Sequence, residues 1–369
     1  MDANPLRALH ELGQSVWLDD IRRAWLDDGT LARLIADDGV AGVTSNPAIF
    51  EKAISGGGEY DGAIAELTRL GKTPGTVYET LAIDDVRRAA DLLRPAWDAT
   101  NGADGFVSLE VSPHFADYAD ATVREAKRLW AAFDRPNAMI KVPGTHAGLT
   151  AVRALLRDGV NVNVTLLFGL SRYREVAESF LAGLEARLAD GRPVDRVASV
   201  ASFFLSRIDT LVDRKLDEIG TAPARALRGR AAIASARLAY RHYRGWTAGE
   251  RWRRLAAAGA RAQRLLWAST STKDPAYADT KYVEALIGPE TINTMPLGTL
   301  TAYRDHGRPA PRLEEDLQGA LDLPDDLAGL GINLDRTAEQ LERDGVQKFI
   351  EPFDALHAAL ARRQRELRS

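Results

Sequence analysis

The chain contains no cysteine, which removes disulfides, thiolate nucleophiles and thiolate metal ligands together. It also lacks long apolar runs. No stretch approaches the roughly 18 consecutive apolar residues that a membrane span needs, and the N-terminus (Met1, Asp2, Asn4) has no basic region followed by an apolar one. A cytoplasmic protein with no membrane partner is expected. An excess of positive charge is missing too: the net charge is −4, which argues against a dedicated nucleic-acid binder. The six histidines are scattered without ligand spacing, so no metal is expected. The glycine-rich fingerprint for dinucleotides follows none of the candidate strands.

Lysine is scarce. Of 48 basic residues only eight are lysine, namely Lys52, Lys72, Lys127, Lys141, Lys215, Lys273, Lys281 and Lys348. A retained lysine is therefore informative, because arginine cannot replace it where an amine must lose its proton and attack a carbon. Lys141 alone sits inside an apolar run, Ala138 to Val142.

With 369 residues and 45% hydrophobic content, the chain has material for a large core. Short runs rich in Val, Ile, Leu and Phe alternate with Ala-, Leu-, Arg- and Glu-rich segments of helical period, as repeated βα units require. Eight strands are expected: Ser15 to Asp19, Gly42 to Asn46, Phe106 to Val111, Ala138 to Val142, Val160 to Thr165, Val197 to Phe204, Leu265 to Ser269 and Thr291 to Met295. Helices fill the gaps, for example Ala147 to Asp158 closed by Gly159, and Arg172 to Leu188 closed by Gly191. The pattern predicts a (β/α)8 barrel over residues 1–369 as one domain. Additional helices are expected in the β2-β3 connection, about 47–101, and at the C-terminus, about 309–369. Gly56, Gly57 and Gly58 suggest a flexible loop, and Thr337 to Leu367 an amphipathic helix.

Alternate strand residues face opposite sides. Val107, Leu109 and Val111 take one face, so Ser108 and Glu110 point into the barrel. By the same count Lys141, Asp19, Asn161, Asn163 and Thr165 point inward, as do Thr44, Asn46, Ser202, Phe204, Trp267 and Ser269. Asp19, Asn46, Glu110, Lys141, Asn163, Thr165, Ser202 and Ser269 fall toward the C-terminal ends of different strands, where barrel enzymes build their sites. Taken singly, each reads as a solvated strand end or a helix cap. Their convergence favours a site.

An amine held among apolar walls loses solvation of its charged form and is freed to attack a carbonyl. The resulting iminium is an electron sink, so a carbon–carbon bond two atoms away can break or form. Glu110 and Asp19 lie on neighbouring strands as proton carriers. The bland alternative, an ion pair that satisfies a buried charge, is a doubtful source of stability. Gly71-Lys72-Thr73 imitates the end of a phosphate loop, but Glu66 stands where its first glycine is required. Ala222 to Gln263 holds ten arginines against the single acid Glu250. It reads as solvated helix faces whose field near strand 7 could draw in phosphorylated substrates.

The segments Ser15-Val16-Trp17-Leu18-Asp19, Thr44-Ser45-Asn46-Pro47, Ser108-Leu109-Glu110-Val111, Ile140-Lys141-Val142-Pro143-Gly144-Thr145, Asn161 to Phe168 and Ser202 to Asp209 together resemble the transaldolases, in their longer bacterial branch. The resemblance implies transfer of a dihydroxyacetone unit from sedoheptulose 7-phosphate to glyceraldehyde 3-phosphate, without a cofactor. It implies that Lys141 forms the Schiff base, that Glu110 acts through a water held by Thr165, and that Asp19 exchanges a proton with the hydroxyl beside the breaking bond. Asn46 and Asn163 would bind donor hydroxyls or the dihydroxyacetone intermediate, Ser202 would line the pocket, Phe204 would help close it, and Thr44 would be among the substrate-binding residues. Arg207 and Ser269 would bind the substrate phosphate. One departure concerns that phosphate: where the better-known branch has an arginine two residues after the serine, this chain has Ser271, and Lys273 is proposed to supply the charge. The nearest rival is an aldolase that cleaves fructose 6-phosphate without transfer, though such relatives are shorter and lack a glutamate at the position of Glu110. A non-catalytic sugar-phosphate sensor is the rival from another class. The oligomeric state stays open, with a homodimer as one option.

Overall fold

The computed structural model describes residues 4–56 and 58–367; Met1, Asp2 and Gly57, named above, lie outside them. Eight parallel strands close into a barrel in chain order: β1 (Gln14–Leu18), β2 (Gly42–Thr44), β3 (Phe106–Glu110), β4 (Ala138–Pro143), β5 (Val162–Leu167), β6 (Ser199–Phe204), β7 (Arg264–Ala268) and β8 (Thr291–Met295). β1 pairs in parallel with β8 along its whole length, which closes the ring. This is the (β/α)8 barrel that the alternating pattern predicts. The β2-β3 connection carries three extra helices, Pro47–Gly56, Asp61–Arg69 and Pro74–Ala99, and the chain ends in Leu317–Gly329 and Leu334–Glu366. Gly56 is the last residue of its helix rather than part of a loop. No helix among the described residues is long and apolar enough to cross a membrane.

Local chemistry explains the boundaries that hold the site. After β4, the Thr145 hydroxyl accepts the amide of Gly148 at 3.0 Å and starts the helix His146–Asp158. Gly159, at φ +87°, ends it in the left-handed conformation. Thr73, from the rejected phosphate-loop imitation, likewise caps the helix Pro74–Ala99.

Inside the barrel, Trp17 is fully buried and donates its indole N–H to Asp104 at 2.8 Å. Its ring fits because the facing residue is glycine: a methyl on Gly42 would stand 2.3 Å from Trp17 Cδ2. The indole thus fills the lower barrel beneath the C-terminal mouth.

The parity reading holds for six strands and fails on β7. Neighbouring register partners share a face, and Trp267 is the partner of Phe203, not of the inward Ser202 and Phe204. Its ring meets Phe203 edge-on at 6.3 Å, and its N–H donates to the Leu286 carbonyl at 3.1 Å. Trp267 therefore packs outward. Ser269 still reaches the mouth because its backbone turns to φ +54° just past the strand, which breaks the alternation. Leu166, at φ +63°, does the same in β5, where the pairing with β6 shifts between Val164 and Leu167.

The C-terminal helix Leu334–Glu366 crosses the open mouth. Leu341, Gly345, Phe349, Leu356 and Leu360 form its buried stripe at helical spacing. Gly345 permits close approach, since a methyl there would lie 3.1 Å from Leu166 Cδ2. Polar contacts fasten the helix at both ends: Arg172 to Glu342 at 2.9 Å, Ser171 to Asp335 at 2.9 Å, His114 to Asp354 at 2.7 Å and Gln364 to the Lys72 carbonyl at 2.9 Å.

The arginine-rich segment forms the helices Ala222–Ala226, Ala231–Thr247 and Glu250–Ala257. Its charges meet carboxylates, Arg251 with Glu178 and Glu185, and Arg228 with Asp217 and Asp274. Salt-bridged helix faces are the plain reading of that stretch.

Candidate active site

Strand register sets the centre of the site. Glu110 on β3 is the partner of Lys141 on β4, and Lys141 is the partner of Asn163 on β5. Three chemically different side chains thus stand side by side on one inward row, about 4.8 Å between strands. Lys141 is only 4% exposed, and its Nζ lies 3.0 Å from Glu110 Oε1. The same amine donates to the Ser45 carbonyl at 2.8 Å. An amine gripped from two directions points one way, which orients it for attack.

Burial pushes the Glu110 carboxyl up from its ordinary 4.5, with the Lys141 ammonium opposing. Asp19, immediately after β1, is also raised by loss of solvent, against the pull of Lys141 and a hydrogen bond from Thr44. That hydroxyl donates to Asp19 Oδ1 at 2.7 Å and also meets Thr294 Oγ1 at 2.7 Å. Thr44 therefore orients Asp19. Two carboxyls whose protonated forms burial favours, beside a buried amine, are suited to exchange protons with a substrate.

These groups surround a cavity of about 200 Å³. Asp19, Thr44, Asn46, Lys141, Thr165, Ser202, Phe204, Arg207, Ser269 and Lys273 line it. Asn46 accepts the amide of Ile49 on its carbonyl oxygen at 3.0 Å, capping the following helix, and its amide nitrogen is left for a ligand. Thr165 Oγ1 is buried without a partner among the described residues. Such a group calls for a water or a substrate atom. Asn163 and Glu110 stand at the cavity's edge, not in its wall. Asn163 is fully buried, accepting from Ser202 at 2.7 Å and donating to Ser108 Oγ at 3.1 Å.

At the far side Arg207, in the first turn of the helix Ser206–Ile219, lies 5.5 Å from the Phe204 ring centroid. Desolvation lowers its basicity, as it does that of Lys273, where the nearby Arg207 charge adds to the effect. Ser269 Oγ meets Ser206 Oγ at 2.7 Å, and Lys273 donates to Ser271 Oγ at 2.7 Å. Sequence reasoning missed Phe349 and Lys348, which come down from the C-terminal helix. Phe349 is buried, with its ring centroid 5.9 Å from Lys141 Nζ. The missed signal was the buried stripe itself, which puts Phe349 on the face turned to the barrel. Thr294 was missed as well, although inward parity on β8 could have found it.

Residues 16–360 match the family described as Transaldolase/Fructose-6-phosphate aldolase. The chain belongs to that family. It is 49% identical over 355 residues to a transaldolase of Parafrankia sp., covering 96% of each chain. It is 45% identical to transaldolase 2 of Nostoc punctiforme over 98% of this chain and 97% of that one. It is also 48% identical to a transaldolase of Thermobifida fusca, covering 96% of both. A transaldolase-family barrel with a lysine, two carboxyls and a cationic far wall at one mouth has the parts that Schiff-base chemistry on a sugar phosphate requires.

Proposed function

We propose that the protein is a transaldolase acting through Lys141. The amine adds to the ketose carbonyl, and loss of water gives an iminium. Glu110, 3.0 Å away, relays the protons of these steps through a water held by the otherwise partnerless Thr165 hydroxyl. Asp19 then takes the proton of the hydroxyl beside the scissile bond. That bond breaks, its electrons pass into the iminium, and the aldose phosphate leaves. A dihydroxyacetone enamine remains on Lys141 until an acceptor aldehyde takes it up and Asp19 returns its proton; water then hydrolyses the product iminium, which releases the new ketose phosphate and the free amine.

In this reading the donor is sedoheptulose 7-phosphate or fructose 6-phosphate, the acceptor is glyceraldehyde 3-phosphate or erythrose 4-phosphate, and the setting is the non-oxidative pentose phosphate pathway. Asn46 and Ser202 hold donor hydroxyls, with Asn163 fixing Ser202. Phe204 forms the pocket wall, and Arg207, Ser269 and Lys273 take the phosphate. We place this chemistry in the cytoplasm, where sugar phosphates are made; sedimentation reads directly whether the working unit is a homodimer.

The observation that carries the proposal is the buried Lys141–Glu110 pair at the mouth of a barrel from this family. Borohydride reduction with fructose 6-phosphate should give a single peptide adduct, on Lys141. Trapping by Lys141→Ala would overturn the mechanism. If the ketose is split at full rate with no acceptor present, releasing free dihydroxyacetone, the protein is instead an aldolase.

A further inference from the structure

Besides Lys141, three cations from three elements line the cavity: Arg207 after β6, Lys273 in the loop after β7, and Lys348 on the C-terminal helix. None of the three has a carboxylate within ion-pair distance among the described residues. Lys273 and Lys348 are exposed and Arg207 is half-buried, whereas half-buried cations elsewhere are paired: Arg23 meets Asp85 at 2.8 Å, Arg172 meets Glu342 at 2.9 Å and Lys281 meets Asp209 at 2.9 Å. One Arg207 nitrogen, Nη1, is buried with no hydrogen-bond partner among the described residues.

The balance of charge points the same way. Among the described residues that line the cavity, Lys141, Arg207, Lys273 and Lys348 are basic and Asp19 is the one acid. Even with Glu110 counted beside Lys141, the formal excess is positive, the sign that attracts a phosphate. Lys273 is also not placed to act alone, since its ammonium is turned to Ser271.

We propose that Lys348 is a ligand of the substrate phosphate, delivered to the cavity by the C-terminal helix, and that together with Lys273 it supplies the charge missing at Ser271. The inference rests on the sugar-phosphate reading above. The helix is suited to the task. Pro352 has no N–H, so the carbonyl of Lys348 one turn earlier has no helical partner, and the helix can bend at that residue. The neighbouring Phe349 covers Lys141, so a phosphate that draws in Lys348 also seats the ring over the reacting amine. Remote binding energy is thereby used at the chemical step.

The test compares the second-order rate of borohydride inactivation with fructose 6-phosphate and with fructose, which lacks the phosphate. The ratio of the two rates reports the phosphate contacts alone. Lys348→Ala should lower that ratio about tenfold, the effect of one charge-assisted contact that is partly exposed to solvent. Lys348→Arg should restore most of it. A ratio within twofold of the unaltered protein in Lys348→Ala would overturn the assignment. A structural role would slow both sugars equally and leave the ratio in place, which overturns it as well. If the unaltered protein is not trapped by either sugar, the transaldolase reading falls and takes this inference with it. Trapping on Lys141 with an unmoved ratio removes Lys348 alone.

Discussion

Replacing Glu110 by glutamine keeps the shape of the side chain and removes its capacity to carry a proton. The amide oxygen can still accept from Lys141 Nζ, now 3.0 Å from the carboxylate, so the amine stays oriented. The chemical loss is the proton relay, which as general acid–base catalysis is worth about 10² to 10⁴ in rate, or roughly 3 to 5 kcal/mol of barrier. Rapid mixing with fructose 6-phosphate, quenched with borohydride at set times, reads Schiff-base formation directly. Glu110→Gln should fall by at least a hundredfold. A rate within threefold of the unaltered protein would remove Glu110 from its role. Stability supplies an independent readout. Removing one partner of a buried pair costs up to about 3 to 5 kcal/mol, and the retained hydrogen bond puts this variant at the lower end. The pH dependence has a definite sign. Burial raises the folded Glu110 carboxyl above 4.5, so its contribution is fully present below 4.5 and is lost as pH rises through the folded value. The glutamine variant carries no such loss. The thermal midpoint of the unaltered protein should therefore drop relative to the variant's as pH rises from 4.5, and parallel curves would refute the claim that desolvation dominates at Glu110.

Thr165→Val tests the water. Because Thr165 Oγ1 has no hydrogen-bond partner among the described residues, the substitution should change stability by less than about 1 kcal/mol while slowing Schiff-base trapping about tenfold; an unchanged trapping rate would leave the hydroxyl without its assigned task. Gly42→Ala tests the barrel plug. Its methyl would meet Trp17 Cδ2 at 2.3 Å, and overpacking of this kind costs about 1 to 3 kcal/mol, read as a lower urea midpoint with an unchanged slope. A neutral result would mean that the indole can move.

The strands are legible because their apolar runs are short and bounded, and the inward polar residues are legible because alternation is rigid over five residues. Alternation misplaces Trp267 for a definable reason. Counting back from Ser269 assumes an unbroken strand, and the left-handed turn at Ser269 shifts the count by one. Non-glycine residues give no local warning of a positive φ. The sequence pattern sets β5 two residues early for a related reason: Leu166 and Leu167 continue the apolar run, and nothing in their identity separates strand from loop. Lys348 and Phe349 are hidden differently. Periodicity along Leu334–Glu366 shows which face is buried, but what it is buried against is a long-range fact, carried by the close approach at Gly345 and the Arg172–Glu342 pair.

The division of labour at the mouth follows from how each part is held. Glu110, Lys141 and Asn163 stand on adjacent strands in fixed register, and a barrel does not let such a row shift, which suits bond making at one carbon. The phosphate end faces a different demand, because six- and seven-carbon donors place the phosphate at different distances from that carbon. An arginine fork fixed at the position of Ser271 would favour one geometry. Here the cavity offers two lysines, each a point charge on a flexible stem, one on a loop and one on a helix one turn before a proline. A rigid reacting row with a compliant phosphate grip accounts for both the departure at Ser271 and the presence of a 33-residue helix across the barrel mouth.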